Sequence, residues 1–254
     1  MNALTCNPLR TMATKLDFSL RSDEEELMDD LELGGPTMNQ TLDQLSVVNR
    51  FLGGGHAVAG LRQMWKANGK EGEFSLADLG CGGGEDLRRM AIWARKKGIK
   101  VRLWGFDANP HVVEYARLKS QDFPEIQFEV ANVLDPAFYK RRFDYVSCSL
   151  FLHHFSEEQI DLMMPGLANM VHKGIIISDL QRHWLPWVLF GLVCRVCGAS
   201  YMIRHDGQLS IRKAFTQREL QALAHRNHLD ASISWQWAFR YRVLLTPDKQ
   251  VVPE

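Results

Sequence analysis

The chain lacks an apolar run long enough to cross a bilayer. Its longest, Trp184 to Ala199, falls short of the ~20 residues a spanning helix needs and is interrupted by Arg195. It also lacks an excess of either charge. Thirty Lys plus Arg balance thirty Asp plus Glu, so no global field draws in nucleic acid or an anionic membrane. Five cysteines, odd in number and unevenly spread, offer no framework of paired disulfides. Cys194 and Cys197 form a single C-x-x-C inside an apolar run, which reads as buried thiols rather than zinc or redox chemistry. Residues 1–20 show no uninterrupted apolar core ahead of a small-residue cleavage site, so no secretory leader is expected. No repeat or low-complexity tract is evident. What these absences leave is a cytoplasmic globular enzyme, long enough for one large α/β domain with an appended segment.

What the chain does have is glycine concentrated in one turn. The stretch DLGCGGGED, Asp78 to Asp86, ends the apolar strand 74–79 and opens a helix whose Leu87, Met90, Ala91 and Ala94 recur at helical spacing. Gly80, Gly82 and Gly84 carry no Cβ, so backbone amides can approach a ligand closely. A dinucleotide fingerprint, G-x-G-x-x-G, would need glycine where Glu85 stands. That weighs against NAD. Asp107 then ends the next apolar strand, VRLWGFD, where an acid accepts hydrogen bonds from ribose hydroxyls. The plainer reading is a glycine loop that only turns the chain, with Asp107 capping a helix.

In this order, Asp78, the glycine turn and Asp107 resemble the class I S-adenosylmethionine (SAM)-dependent methyltransferases. The resemblance implies an α/β, Rossmann-like sheet of seven mostly parallel strands whose last strand is antiparallel. The alternation of elements agrees with it. Strands are expected at 74–79, 100–107, 126–131, 143–150 and 174–179. Helices are expected at 85–97, from Asn109-Pro110 to about Leu118, and after the capping box Ser156–Gln159. Pro165-Gly166 should bend or break that third helix. Residues 1–72 are read as an N-terminal segment and helical cap, and 73–254 as the SAM-binding methyltransferase domain. Within the cap, the acidic run Arg21–Pro36 reads as a solvated face. Helices should follow from Thr41 to Leu52 and from Ala57 to Ala67. An apolar insertion, 180–214, follows strand five. A second capping box, Thr216–Glu219, opens the last helix, and strands near 232–238 and 240–246 close the chain.

By the same resemblance, Asp78, Gly80, Gly82 and Gly84 lie beneath the methionine moiety, Asp107 holds the ribose, and Ala108 lies beside the adenine. Asn132 in VANVLD is the preferred contact to the adenine amino group, with Asp135 second. A turn residue satisfying its own backbone is an equal alternative for Asn132. Ser149, at the end of strand four, completes the donor set. The tetrad Ser149–Leu152 stands where nucleobase amine methyltransferases show Asn/Asp-Pro-Pro-aromatic, which disfavours methylation of a DNA base. His153-His154 is similar to the histidine pair of ubiquinone and menaquinone methyltransferases. One of them can take a proton from a phenol, or both serve packing and cofactor contact.

Two further features bear on the acceptor. In the polar segment 201–216, His205 with Asp206 is a second candidate for a base and its orienting carboxylate, with Arg204 or Arg212 as anion binders. A solvated loop is the alternative there. Asp179–Arg182, at the end of strand five, should point to the same cleft. No metal is expected. The apolar insertion, with Trp184, Trp187, Leu189, Phe190, Leu192 and Val193, reads as a lid buried against the core. Its sharper readings are a wall for a hydrophobic acceptor or a peripheral membrane contact.

Taken together, RSDEEELMDD, NRFLGGG, DLGCGGGED, CSLFLHHF, SDLQR and RHDGQLSIRKAF resemble a bacterial methyltransferase group associated with type III polyketide synthases. That implies methylation of a small, hydrophobic phenolic or quinone-like acceptor, at oxygen rather than carbon. An RNA or protein methyltransferase and a non-catalytic SAM-binding protein are the alternatives, and the balanced charge offers nothing to nucleic acid.

Overall fold

Strands form where apolar residues run without interruption, as the two covered faces of a parallel sheet demand. The computed structural model describes residues 17–70 and 72–247 and contains seven such strands. These are β1 (Glu73–Leu79), β2 (Lys100–Asp107), β3 (Ile126–Val130), β4 (Phe143–Ser149), β5 (Val171–Leu180), β6 (Leu229–Gln236) and β7 (Arg240–Pro247). They lie in the order β3-β2-β1-β4-β5-β7-β6, all parallel except β7, which runs antiparallel to both of its neighbours. The order reverses between β1 and β4. At such a switch point the connections leave in opposite directions and open a crevice at the carboxyl ends of the strands.

Helices cover both faces. On one side α2 (His56–Ala67) and α3 (Glu85–Lys97) bury Leu61, Met64, Leu87 and Met90. On the other, α5 (Glu157–Met170) and α8 (Gln217–Arg226) bury Met163, Leu167, Leu220 and Leu223. Local chemistry sets their ends. Helix α3 closes on Arg95-Lys96-Lys97 and a left-handed Gly98, which complements the negative end of the helix. The Asn109 side chain accepts from the amides of His111 and Val112 to start α4 (Pro110–Lys119). Three helices roof the crevice: α1 (Gly35–Phe51), α6 (Trp184–Val196) and α7 (Tyr201–Lys213). No helix among the described residues is long and apolar enough to cross a membrane.

Several expectations are corrected. Helix α5 is not broken at Pro165 and continues to Met170. An interior proline costs about 3 kcal/mol, but buried Ile160, Met163 and Met164 before it and Leu167 and Met170 after it hold both halves on one core. Strand β6 begins three residues early and ends two early, at Gln236, because Ala238 and Phe239 take left-handed turn conformations. Segment 201–213 is a helix, not a loop. Several of its polar residues meet the N-terminal segment: Asp206 accepts from the amides of Leu27 and Met28, and the Ser210 hydroxyl donates to Glu26. The acidic run is accordingly no simple solvated face, since Glu26 is buried and Arg212 pairs with Glu24 at 2.8 Å. Arg182 turns from the cleft and holds both carboxylate oxygens of Glu219 at 2.6 and 3.0 Å.

Candidate active site

The carboxyl ends of β1, β2, β4 and β5 open into one cavity of about 2080 Å³. A single small ligand takes roughly 300–1000 Å³, so the space suits two. The floor at the switch point is the glycine turn. Gly80 has φ +63, and a Cβ there would lie 2.0 Å from the Phe151 ring. Gly82 has φ +49, and a Cβ there would meet nothing within 4 Å: it faces open cavity. Both left-handed backbones favour glycine, Gly80 also by close approach, and Gly82 by presenting bare backbone to the space above. Gly84 sits left-handed at the start of α3.

Three carboxyls surround this turn. Asp78 is buried at the end of β1 and accepts from the Ser147 hydroxyl. Burial, with the nearby charges of Asp86 and Asp107, pushes it up to about 8. Burial also raises Asp86, against the Ser149 hydroxyl that donates to it. Asp107 is raised by burial too, against the amides of Asn109 and Gly82, which donate to its two oxygens at 3.1 Å. Three carboxyls held above their usual range form a site that gains from a cation. A ligand carrying an ammonium and a sulfonium answers that need. The residues present therefore fit SAM.

The fit gives a pH signature. A cationic ligand favours the ionised carboxylates, so binding expels the proton that Asp78 holds below about 8. Affinity for SAM should then rise with pH, by up to about tenfold per unit below 8, and flatten above it. Calorimetry in buffers of different ionisation heat should count about one proton released, and Asp78→Asn should flatten the profile. A flat profile in the parent would remove Asp78 from the electrostatics of binding.

The other predicted donor contacts divide. Ala108, Asn132 and Ser149 all line the cavity. The Asn132 side-chain oxygen takes the amide of Leu134 at 2.9 Å, so its turn role is real, while its side-chain NH2 makes no hydrogen bond among the described residues. Asp135 instead caps a 3-10 turn through Ala137 and does not line the cavity. Asp86 was missed as a site residue although it ends the glycine motif; its position in the first turn of α3 was the available signal.

Above the floor lie the two histidines, with rings stacked 4.3 Å apart. His153 is buried and its Nδ1 meets Asp179 at 2.6 Å. Burial works to raise the Asp179 carboxyl, but His153 and the Leu180 amide hold it below the usual range. His154 is a quarter exposed, lines the cavity, and pairs through Nδ1 with Asp29 at 2.7 Å. Burial works to lower its pKa, yet Asp29 and Glu26 prevail and raise it. Glu26, His153 and His154 place ligand atoms within 4.8 Å of one another. Lys213 already supplies a cation there, 3.6 Å from Glu26 and 3.3 Å from Asp29. No signal in the sequence joined Glu26 and Asp29 to residues more than 120 positions away.

The second histidine pairing is divided, with Asp206 on the cavity lining and His205 off it. His205 Nδ1 lies 2.9 Å from Asp206, but His205 is not among the cavity-lining residues, and Asp206 spends its oxygens on the N-terminal segment. Arg212 is likewise engaged with Glu24. In α6 the cavity wall is Pro186, Leu189, Phe190 and Val193, whereas Trp184 and Trp187 do not line it. Nor is α6 a buried lid: only Pro186 and Cys194 of its residues are buried, and Cys197 beyond it is an exposed free thiol.

Comparison with known proteins agrees with this geometry. Residues 76–174 match the family described as a methyltransferase domain. An uncharacterized methyltransferase of Synechocystis sp. is 28% identical over 116 residues, 44% of this chain and 50% of that protein. The chain thus aligns with about half the length of that curated relative. Among solved structures, the plantazolicin methyltransferase BamL, bound to S-adenosylhomocysteine (SAH) and a triazolic analogue, is similar with a TM-score of 0.63 at 13% identity. The alignment covers 84% of this chain and 90% of BamL. Human N-acetylserotonin methyltransferase with SAM has a TM-score of 0.57 at 15% identity, covering 83% and 55% of the two chains. Magnesium protoporphyrin IX methyltransferase of Synechocystis PCC 6803 with SAH has 0.51 at 17%, covering 78% and 87%. The fold is that of class I methyltransferases, residues 76–174 resemble a methyltransferase domain, and these similar structures were solved with SAM or SAH bound. The matched segment holds the glycine turn, Asp107, Asn132 and both histidines; α6 and α7 lie beyond it.

Proposed function

We propose that the protein transfers a methyl group from SAM to a hydroxyl of a small, hydrophobic phenolic or quinone-like acceptor. The observation that carries this reading is the division of one cavity. Its floor is acidic and glycine-lined around Asp78, Asp86 and Asp107, while its far wall is apolar, with Leu189, Phe190, Val193 and Ile203. When bound, SAM supplies an electrophilic methyl group on a sulfonium. Asp78, Gly80, Gly82, Asp107, Ala108, Asn132 and Ser149 would hold it. The protein's main task is then to bring the acceptor hydroxyl into line and keep water out.

His154 takes the hydroxyl proton in this reading. His153, fixed by Asp179, positions it by stacking. The acidic cavity floor supports a neutral aromatic acceptor over RNA, whose phosphates such a lining would repel. The names of the similar structures, methyltransferases of plantazolicin, N-acetylserotonin and magnesium protoporphyrin IX, are in keeping with small acceptors. The sequence motifs' resemblance to polyketide-associated methyltransferases supports phenolic lipids as the acceptors to try first.

Turnover of phenols with alkyl tails of increasing length tests the reading. Each methylene buried against the α6 wall is worth about 0.8 kcal/mol, close to fourfold in affinity. The parent should favour long tails, and Phe190→Ala should shrink that preference while leaving SAH affinity unchanged. A flat response to tail length in the parent would return small soluble phenols or a macromolecular acceptor to the front.

A further inference from the structure

Helix α6 is apolar toward the cavity and apolar again toward the outside. Pro186, Phe190 and Val193 face the cavity. Trp184, Val188, Leu192 and Val196 recur every four residues and are 56%, 39%, 52% and 87% exposed. That spacing sets them in one stripe along the helix, and apart from the His183 ring 5.6 Å from that of Trp184 the stripe faces outward. A helix apolar around most of its girth is stable in water only if something else takes the outer side. Charge indicates what that is. No Asp or Glu occurs between Leu180 and His205, while Arg195 is exposed and Arg204 half-buried. By helical spacing Arg195 falls within the outer stripe itself. The balanced charge of the whole chain hides this local excess. At thirteen residues α6 is too short to span a bilayer.

We propose that α6 docks in the plane of an anionic lipid bilayer. Trp184, Val188, Leu192 and Val196 enter the headgroup–acyl boundary, and Arg195 meets the lipid phosphates. The helix then separates bilayer from cavity by its own thickness, and a hydrophobic acceptor enters from the lipid around its edge. This last step rests on the acceptor reading above; the docking does not.

The test is co-sedimentation of the full chain with vesicles of phosphatidylcholine and phosphatidylglycerol. The parent should bind these and bind pure phosphatidylcholine more weakly. Leu192→Glu, at an exposed position outside the cavity lining, should weaken binding by about tenfold or more. Arg195→Gln should lose about fivefold, on the anionic vesicles alone. Both variants should bind SAH as the parent does in calorimetry, which shows that they are folded. A parent that stays in the supernatant, or a Leu192→Glu variant that sediments like the parent, would overturn the proposal. A concentration-dependent dimer dissociated by Leu192→Glu would also overturn it and assign the face to a second copy of the chain. Vesicle binding by a chain that fails to bind SAH would uphold the docking and refute the methyltransferase reading.

Discussion

Replacing His154 by Ala should lower kcat by roughly 10²–10⁴, the usual contribution of a positioned general base, with SAH affinity nearly unchanged. His154 is the histidine that both lines the cavity and carries a perturbed proton equilibrium. The sign of that shift matters. Burial opposes the imidazolium, but Asp29 and Glu26 favour it more strongly, so the neutral base becomes available only at a pH above the ordinary histidine value of 6.5. Turnover should therefore rise with pH along a limb displaced upward. Asp29→Asn removes the close pair at 2.7 Å and should bring that limb to lower pH without altering donor binding. His205→Ala should leave turnover intact, because His205 stands outside the cavity lining. Full turnover by the His154→Ala enzyme would mean that solvent deprotonates the acceptor, or that positioning alone suffices.

The second large effect belongs to Asp107. Its replacement by Ala should weaken SAH binding by about 1.5–3 kcal/mol, the range for charge-assisted hydrogen bonds, which is roughly 10- to 150-fold. Two losses combine. The ribose hydroxyls lose an acceptor with free lone pairs. The amides of Gly82 and Asn109, each 3.1 Å from that carboxylate, lose their partner, so the glycine turn is held less firmly under the donor. Asp107→Asn keeps one acceptor oxygen and should lie between the parent and the Ala variant. Equal affinity in Asp107→Ala and parent, measured by calorimetry, would take Asp107 out of the ribose role. NADH bound as tightly as SAH would sink the donor assignment itself.

What the sequence by itself determined is the part of the protein built from neighbours in the chain. The glycine turn, its flanking strands, the acid at the end of β2 and the caps at Asn109, Ser156 and Thr216 are all local. Their periodicity and turn chemistry act over a few residues, so they were legible without a fold. The tertiary structure decided whatever depends on partners far apart. It carried α5 through Pro165, because one core holds both halves of the helix. It turned the acidic run at 21–36 into a strap over the cavity, because Asp206, Lys213 and His154 come from distant segments to meet it. It separated the two candidate bases, giving His154 to the cavity and leaving His205 outside. It also divided α6 between an inner wall at Phe190 and an exposed stripe at Leu192. Hydropathy alone cannot make that division, since both faces are apolar and only packing shows which of them has found a partner.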